Sequence, residues 1–171
     1  MSNIGKYQII LPPTLTINKF NFNFDFYTLE FIGKLGTLSI NLPNYIIVNI
    51  NKDSLSIESD NKVMWGTIRN LINQAIIGVT TGYSKKLELI GIGFKVSLIN
   101  NNLIFNLGKS HPVVIPLNPL INVKLINSST LIASSLSNSL LSTYLHSIRL
   151  IKPASKDHYK GKGIKVTSEL L

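Results

Sequence analysis

The 171-residue sequence contains no cysteine, only three histidines and only eight acidic residues. The absence of cysteine excludes a disulfide framework, a thiolate metal site and a cysteine nucleophile. His111, His146 and His158 do not share the spacing at which two ligands of one helix or strand bind a metal. We therefore expect no metal and no other cofactor.

Long apolar segments are also missing. The longest uncharged run, residues 125–148, contains eight serines, two asparagines and a histidine, so it lacks the near-continuous apolar character of a membrane span. The first residues form neither an apolar signal core nor an Arg-rich presequence. With 44% hydrophobic and 15% charged residues, the chain is expected to be globular and to work in the compartment where it is made.

Alanine and arginine are scarce, with three and two copies, whereas isoleucine, asparagine and lysine number 25, 19 and 15. Codons for the three abundant residues are rich in A and T, and codons for the two scarce residues are rich in G and C or have such options. An A/T-rich genome imposes this skew. Together with the missing import signal, it predicts an organelle-encoded protein, mitochondrial as the first choice and plastid as the alternative.

Positive charge dominates the chain and is unevenly divided, within a formal net charge of +9. Residues 1–82 carry six basic and five acidic residues, whereas residues 83–171 carry eleven basic and three acidic residues. Because the second half holds a net charge of +8, we expect a polyanionic partner that contacts mainly this half.

Both halves show short strand patterns followed by one amphipathic helix. The first helix is predicted to bury a stripe of Met64, Ile68, Leu71, Ala75 and Val79. In the second half, residues 85–98 and 102–107 are predicted as two strands of a hairpin. A second helix is expected over residues 136–148, with Ser134 or Ser135 as its N-terminal cap.

A short repeat suggests that the two halves are related. Leu-Glu-Phe-Ile-Gly at residues 29–33 returns as Leu-Glu-Leu-Ile-Gly at residues 87–91. The predicted fold class is α+β, with two tandem related domains, each an antiparallel β-sheet with one main helix packed on a face. We place the N-terminal domain at residues 1–82 and the C-terminal domain, with a basic tail at about residues 152–166, at residues 83–171.

Two patterns resemble catalytic motifs but have simpler structural explanations. Gly91-Ile92-Gly93 lacks the third glycine of a dinucleotide-binding loop, because Val96 stands in its place, and it falls inside a predicted strand. We expect it to mark a bend of that strand or a close approach of two backbone segments. Asp53, Glu58 and Asp60 offer carboxylates for acid–base work, but two of them flank a short strand, and we expect a solvated edge.

Residues 152–165 form the most distinctive segment of the sequence. They contain five lysines and one aspartate, and Tyr159 stands directly before Lys160-Gly161-Lys162-Gly163. Lysines suit phosphate, glycines let the backbone approach a sugar-phosphate chain, and tyrosine can stack on a base. Composition leaves nucleic-acid binding and a solvated basic tail both open. We expect residues 156–165 to lack order without RNA.

Five motifs follow one another along the chain. They are Ser2-Asn3-Ile4-Gly5-Lys6 with Ile9-Ile10-Leu11-Pro12, Trp65-Gly66-Thr67-Ile68-Arg69-Asn70-Leu71-Ile72 running into Ile77-Gly78-Val79-Thr80-Thr81-Gly82-Tyr83, Lys85-Lys86-Leu87-Glu88-Leu89-Ile90-Gly91-Ile92-Gly93-Phe94-Lys95, Leu107-Gly108-Lys109-Ser110-His111-Pro112-Val113, and Tyr159-Lys160-Gly161-Lys162-Gly163-Ile164-Lys165. Together they resemble the bacterial-type family of large-subunit ribosomal protein six. The chain departs from that family's pattern by an apparent insertion of three residues before Tyr159, by Val166 in place of a frequent tyrosine, and by Lys109 in place of a common aromatic residue.

The resemblance implies a non-catalytic protein bound to large-subunit rRNA, near the base of the sarcin–ricin stem and the docking region of translational GTPases. It also implies neighbouring large-subunit ribosomal proteins as partners, with no membrane and no small-molecule substrate. The RNA contacts that it and the local charge indicate are Tyr159, Lys160, Gly161, Lys162, Gly163 and Lys165, with Lys85, Lys86, Lys109, Ser110, His111 and Lys156 as secondary candidates. For His111, a turn-stabilising role beside Pro112 is the alternative. A free-standing RNA-binding protein outside the ribosome is the alternative.

Overall fold

The computed structural model describes residues 7–21, 25–51, 53–59, 62–154 and 161–169. The chain divides into two compact units, Met1–Gly82 and Tyr83–Leu171. Each unit combines antiparallel sheets with one long helix. The predicted α+β fold class is therefore confirmed, with the difference that the strands of each unit form two sheets instead of one.

The first unit contains two three-stranded antiparallel sheets and a helix. Its elements are β1 (Ile9–Ile10), β2 (Thr16–Asn21), β3 (Phe26–Gly33), β4 (Gly36–Pro43), β5 (Ile46–Ile50), β6 (Ser54–Ser59) and α1 (Lys62–Thr80). The strand orders are β2-β3-β4 and β1-β6-β5. Side chains alternate across β3 and β6, so Leu29 and Phe31 from one sheet meet Leu55 and Ile57 from the other in one core.

Helix α1 closes this core with one apolar face. Ile68, Ile72 and Val79 are fully or almost fully buried. Leu71, which the sequence pattern placed on the buried stripe, is instead 42% exposed. At about 100° per residue, Leu71 falls to the side of the arc that these three residues define. Trp65 fixes the start of the helix, because its Nε1 donates a hydrogen bond of 2.7 Å to the Ile57 carbonyl.

The second unit is built from a four-stranded and a three-stranded antiparallel sheet around one helix. Its elements are β7 (Tyr83–Ile90), β8 (Lys95–Ile99), β9 (Asn102–Asn106), β10 (Val113–Pro116), β11 (Asn122–Asn127), β12 (Thr130–Ser135), α2 (Asn138–Ile151) and β13 (Gly163–Glu169). The strand orders are β11-β12-β7-β13 and β10-β9-β8. Both sheets contribute to one core, which Leu87, Phe105, Leu131 and Leu145 fill.

The predicted strand over residues 85–98 is wrong in one respect, because a turn divides it. β7 ends at Ile90 and β8 begins at Lys95 in the other sheet. Between them the Phe94 amide donates to the Gly91 carbonyl at 3.3 Å. The two glycines of this segment therefore mark a change of sheet, not a bend within one strand. The predicted β8–β9 hairpin is confirmed by its strand pairing.

Helix α2 packs on the core through Leu141, Leu145 and Ile148. Its N-terminal cap is Ser137, whose side chain accepts a hydrogen bond from the Leu140 amide. The predicted caps, Ser134 and Ser135, are wrong because β12 continues through both residues. Neither helix formed by the described residues is long and apolar enough to cross a membrane.

Candidate nucleic-acid interface

The predicted basic tail is in part a strand of the second unit's sheet. Residues 163–169 form β13, which pairs with β7 so that Gly163 lies opposite Ile90 and Lys165 opposite Glu88. The expectation that residues 156–165 lack order without RNA is therefore wrong for residues 163–165. Lys156, Tyr159 and Lys160 lie outside the described residues. Lys162 and Lys165 are exposed.

Backbone contacts hold the start of β13 against the chain that follows α2. The Ile164 amide donates to the Lys152 carbonyl at 2.8 Å, and Pro153 forms a parallel bridge with Ile164. Gly163 is buried, and a Cβ placed on it would lie 2.5 Å from the Ala154 backbone nitrogen. The basic segment is therefore anchored at Ile164, and Gly163 permits a close approach of two backbone segments.

The turn that follows β9 presents Lys109, Ser110 and His111 to solvent. The Ser110 Oγ and the His111 Nδ1 lie 3.3 Å apart, a distance that suits a hydrogen bond within the turn. The Lys109 Nζ reaches the Ile151 carbonyl at 3.5 Å, where the C-terminal end of α2 favours positive charge. These exposed groups can still donate hydrogen bonds to phosphate oxygens.

Lys152 joins this turn to the basic segment. Its Nζ donates to the Leu107 carbonyl at 2.7 Å and lies 4.4 Å from the centroid of the Phe94 ring. Its own carbonyl accepts the hydrogen bond from Ile164. One residue thereby brings the Ser110-His111 turn and the start of β13 to the same end of α2.

Lys85 and Lys86 both have partners within the second unit. The Lys85 Nζ donates to the Ser142 Oγ at 2.6 Å, in the N-terminal half of α2. Lys86 forms an ion pair of 2.9 Å with Glu88. Because consecutive side chains of a strand point to opposite faces, the two lysines lie on different faces of β7. The Lys152 contacts thus bring the 109–111 turn and the start of β13 together. Lys85 lies beside Ser142 instead, and Lys86 lies beside Glu88, which is opposite Lys165 in β13.

Sequence reasoning missed the role of Lys152 and Phe94. In the sequence Lys152 is one more cation of the basic segment, yet its hydrogen-bond partner Leu107 is 45 residues away. No local pattern predicts such a contact, because it depends on how β9 and α2 pack. The approach of a lysine to an aromatic ring is likewise a consequence of the tertiary fold.

The acidic and histidine candidates that the structure describes are all exposed, namely Asp53, Glu58, His111 and His146. Within those residues, no group of three His, Cys, Asp or Glu side chains is close enough to hold a metal ion. Asp53 and Glu58 are exposed, and Glu58 accepts a hydrogen bond from Asn49 at 3.2 Å. Asp60 lies outside the described part of the chain. His146 is an exposed residue of α2.

Comparison with known proteins gives the family. No protein-family model matches the chain. The chain is 36% identical to the large ribosomal subunit protein uL6 of Methylacidiphilum infernorum (isolate V4), over 100% of this chain and 94% of that protein. It is 34% identical to the large ribosomal subunit protein uL6c of Porphyra purpurea, with the same two shares. A third relative, uL6 of Malacoplasma penetrans (strain HF-2), is 29% identical over 100% of this chain and 93% of that protein. The order of motifs, the α+β fold and these full-length matches agree, and the chain belongs to the uL6 family of large ribosomal subunit proteins.

Proposed function

We propose that the protein is a structural, non-catalytic constituent of the large ribosomal subunit and that its second unit binds large-subunit rRNA. Membership of a family of ribosomal proteins supports the structural role. The observation that carries the rRNA contact is the convergence of the exposed 108–111 turn and the start of β13 on Lys152. In this proposal residues 1–82 and 83–171 are two domains, and the basic segment at about residues 152–166 makes the main contact.

The rRNA site that we propose lies near the base of the sarcin–ricin stem. The motif resemblance supports this position, which places the protein beside the docking region of translational GTPases and next to other large-subunit proteins. The GTPases are transient neighbours and the rRNA is the permanent partner. The net charge of +8 on residues 83–171 suits such a polyanionic surface.

The mechanism is positioning of RNA by a rigid protein surface. Lys160 and Lys162 neutralise phosphates, and Ser110 and His111 donate or accept hydrogen bonds at the sugar-phosphate backbone. Tyr159 stacks on a base or ribose. Shape and unpaired nucleotides provide specificity, because side chains cannot read the deep major groove of an A-form helix.

A salt titration tests the phosphate contacts. The full chain is bound to a transcript of the large-subunit rRNA segment that carries the sarcin–ricin stem. Changing Lys160 and Lys162 to Ala should lower the slope of log affinity against log salt by roughly 1.4–1.8. The matched control changes Lys34 and Lys124 to Ala, which removes two exposed charges outside the candidate contacts. An unchanged slope in the first variant, or an equal drop in the control, contradicts the proposed contacts.

Sedimentation separates the ribosomal role from a free-standing RNA-binding protein. In an organelle lysate on a sucrose gradient, the protein should migrate with the large subunit near unit stoichiometry and remain there after a high-salt wash. Recovery at the top of the gradient at low salt favours the free-standing protein instead.

We propose a mitochondrial ribosome as the location, with the plastid as the alternative. The excess of Ile, Asn and Lys over Ala and Arg supports an organelle genome, and relatives include plastid and bacterial forms. Mass spectrometry of purified mitochondria and plastids from the source cells decides between the two. Detection only in plastids rules out the mitochondrial location.

A further inference from the structure

We infer that the turn at residues 91–94 is a third segment of the RNA-binding surface, with Ile92 at its tip in contact with the apolar face of an unpaired base or a ribose. The inference deepens the proposed rRNA binding and rests on it. It adds a non-ionic contact to a surface whose other candidates act by charge and hydrogen bonding. It also assigns Lys152 to positioning these segments, not to binding phosphate.

Ile92 is unusually exposed for its size. Its side chain is 95% accessible, more than any other large hydrophobic side chain of the described residues. Single exposed apolar residues are common on protein surfaces, so exposure by itself does not identify a contact. The surroundings of Ile92 are what single it out.

The turn is held firmly by the Phe94 ring beneath it. A Cβ on Gly91, whose φ is +153°, would lie 2.7 Å from that ring, so the ring packs directly on the Gly91 backbone. On its other side the ring comes within 3.4 Å of a Cβ placed on Gly108. Phe94 therefore joins the Ile92 turn to the turn that carries Lys109, Ser110 and His111.

Lys152 adds a third segment to the contact that Phe94 makes between the two turns. Its ammonium lies over the Phe94 ring and bonds the Leu107 carbonyl, and its carbonyl holds Ile164. The residue is partly buried, and a carbonyl and an aromatic face already occupy its cation. The ammonium thus fixes the relative positions of three segments, at residues 91–94, 107–111 and 163–164.

The charge around Ile92 identifies the class of partner. Residues 91–94, 107–111, 151–154 and 161–165 contain no acidic residue, while Lys109 and Lys162 are exposed. The neighbouring Glu88, opposite Lys165, is paired with Lys86. An apolar tip on a turn that Phe94 joins to the turn of Lys109 matches a nucleic acid, which presents phosphates next to the flat faces of bases. The three segments therefore form one composite surface for RNA.

The test compares two exposed hydrophobic residues of the same unit. Ile92→Ser should weaken binding of the full chain to the sarcin–ricin transcript roughly fivefold, with the salt slope unchanged because no charge is lost. The control is Leu120→Ser. Leu120 is 68% exposed, and its carbonyl bonds Ser135, just before the N-terminal end of α2. The 14 residues of α2 place that end about 21 Å from Lys152, and binding should change less than twofold. Unchanged binding in Ile92→Ser, or an equal loss in Leu120→Ser, overturns the inference.

The positioning role of Lys152 is tested with one variant that removes its charge and one that keeps it. Lys152→Met should weaken binding at the wild-type salt slope, and Lys152→Arg should restore it, because a guanidinium can bond Leu107 and stack on Phe94. In the free Met variant, the amide NMR signals of residues 91–94 and 108–111 should shift together. A slope reduced by about 0.7–0.9 in the Met variant marks Lys152 as a phosphate contact and contradicts the positioning role. If the wild-type chain binds no RNA, the rRNA proposal and the Ile92 contact both fail. The NMR shifts alone then decide whether Lys152 positions residues 91–94 and 108–111.

Discussion

Gly163→Ala should destabilise the free protein, before any RNA is added. The added Cβ would lie 2.5 Å from the Cα and nitrogen of Ala154 and 2.7 Å from the Pro153 carbonyl carbon. All three are backbone atoms, so no side-chain rotation relieves the clash. The residue also has φ of +155°, a conformation that a residue with a Cβ rarely adopts.

The cost follows from two terms. The backbone conformation costs about 1–3 kcal/mol for a non-glycine residue. Separating Ala154 from Gly163 to remove the clash breaks the hydrogen bond from Ile164 to Lys152, which contributes about 0.5–1.5 kcal/mol. We therefore expect the free energy that opens this part of β13 to fall by about 1.5–4.5 kcal/mol.

Native-state hydrogen exchange measures this loss at individual amides. The Ile164 amide should exchange much faster in the variant, and amides of α1 should be unaffected. Gly66→Ala is the matched control, because nothing lies within 4 Å of a Cβ placed on this helical glycine. That substitution should stabilise α1 by about 0.5–1 kcal/mol.

Unchanged hydrogen exchange in Gly163→Ala would contradict this explanation. If Gly163 is glycine only so that RNA can approach its backbone, the alanine variant will keep wild-type exchange rates and lose only RNA affinity. That result would refute the close approach of Gly163 and Ala154 as the reason for glycine at this position.

Two further predictions concern stability. Burial raises the pKa of Tyr27 above 10.0, so with rising pH the unfolded chain loses this proton before the folded chain does. The contribution of Tyr27 to the free energy of unfolding is therefore fully present below pH 10 and is lost as the pH rises above it. Denaturant unfolding at pH 8 and pH 11 should show a smaller decrease in Tyr27→Phe than in the wild type, and an equal decrease contradicts the burial effect. Ser137→Ala removes the cap that bonds Leu140 and should lower the unfolding free energy by about 0.5–2 kcal/mol. In the control Thr143→Ala, at an exposed position within the helix, we expect a smaller loss; equal losses in calorimetry would show that Ser137 is not an effective cap.

Elements with strong periodicity could be predicted from the sequence, and sheet membership could not. Both helices were expected where α1 and α2 lie, because their apolar residues recur every three to four positions. The error at residues 85–98 arose because an apolar run with strand propensity gives no sign of a change of sheet. The cap of α2 was misplaced for a similar reason, since a serine-rich run offers several caps and pairing of β12 decides among them.

The motifs of the candidate site could also be predicted from the sequence, whereas their arrangement in the fold could not. The turn at Ser110-His111 and the Lys160-Gly161-Lys162-Gly163 string were visible as motifs. Their convergence was not, because it depends on the contact of Lys152 with Leu107 and Phe94. The buried position of Gly163 was also hidden, since the sequence alone gave glycine a role only in flexibility and RNA approach.

Net charge therefore overstates how many lysines bind RNA. Of the ten lysines in residues 83–171, Lys85 bonds Ser142, Lys86 pairs with Glu88, Lys109 reaches the Ile151 carbonyl, and Lys152 is held by Leu107 and Phe94. These cations add to the long-range attraction of a polyanion, but a cation that already has a protein partner is less able to release counterions from a phosphate. The measured salt slope should thus report exposed lysines such as Lys162, and fall well short of the number that the sequence composition suggests.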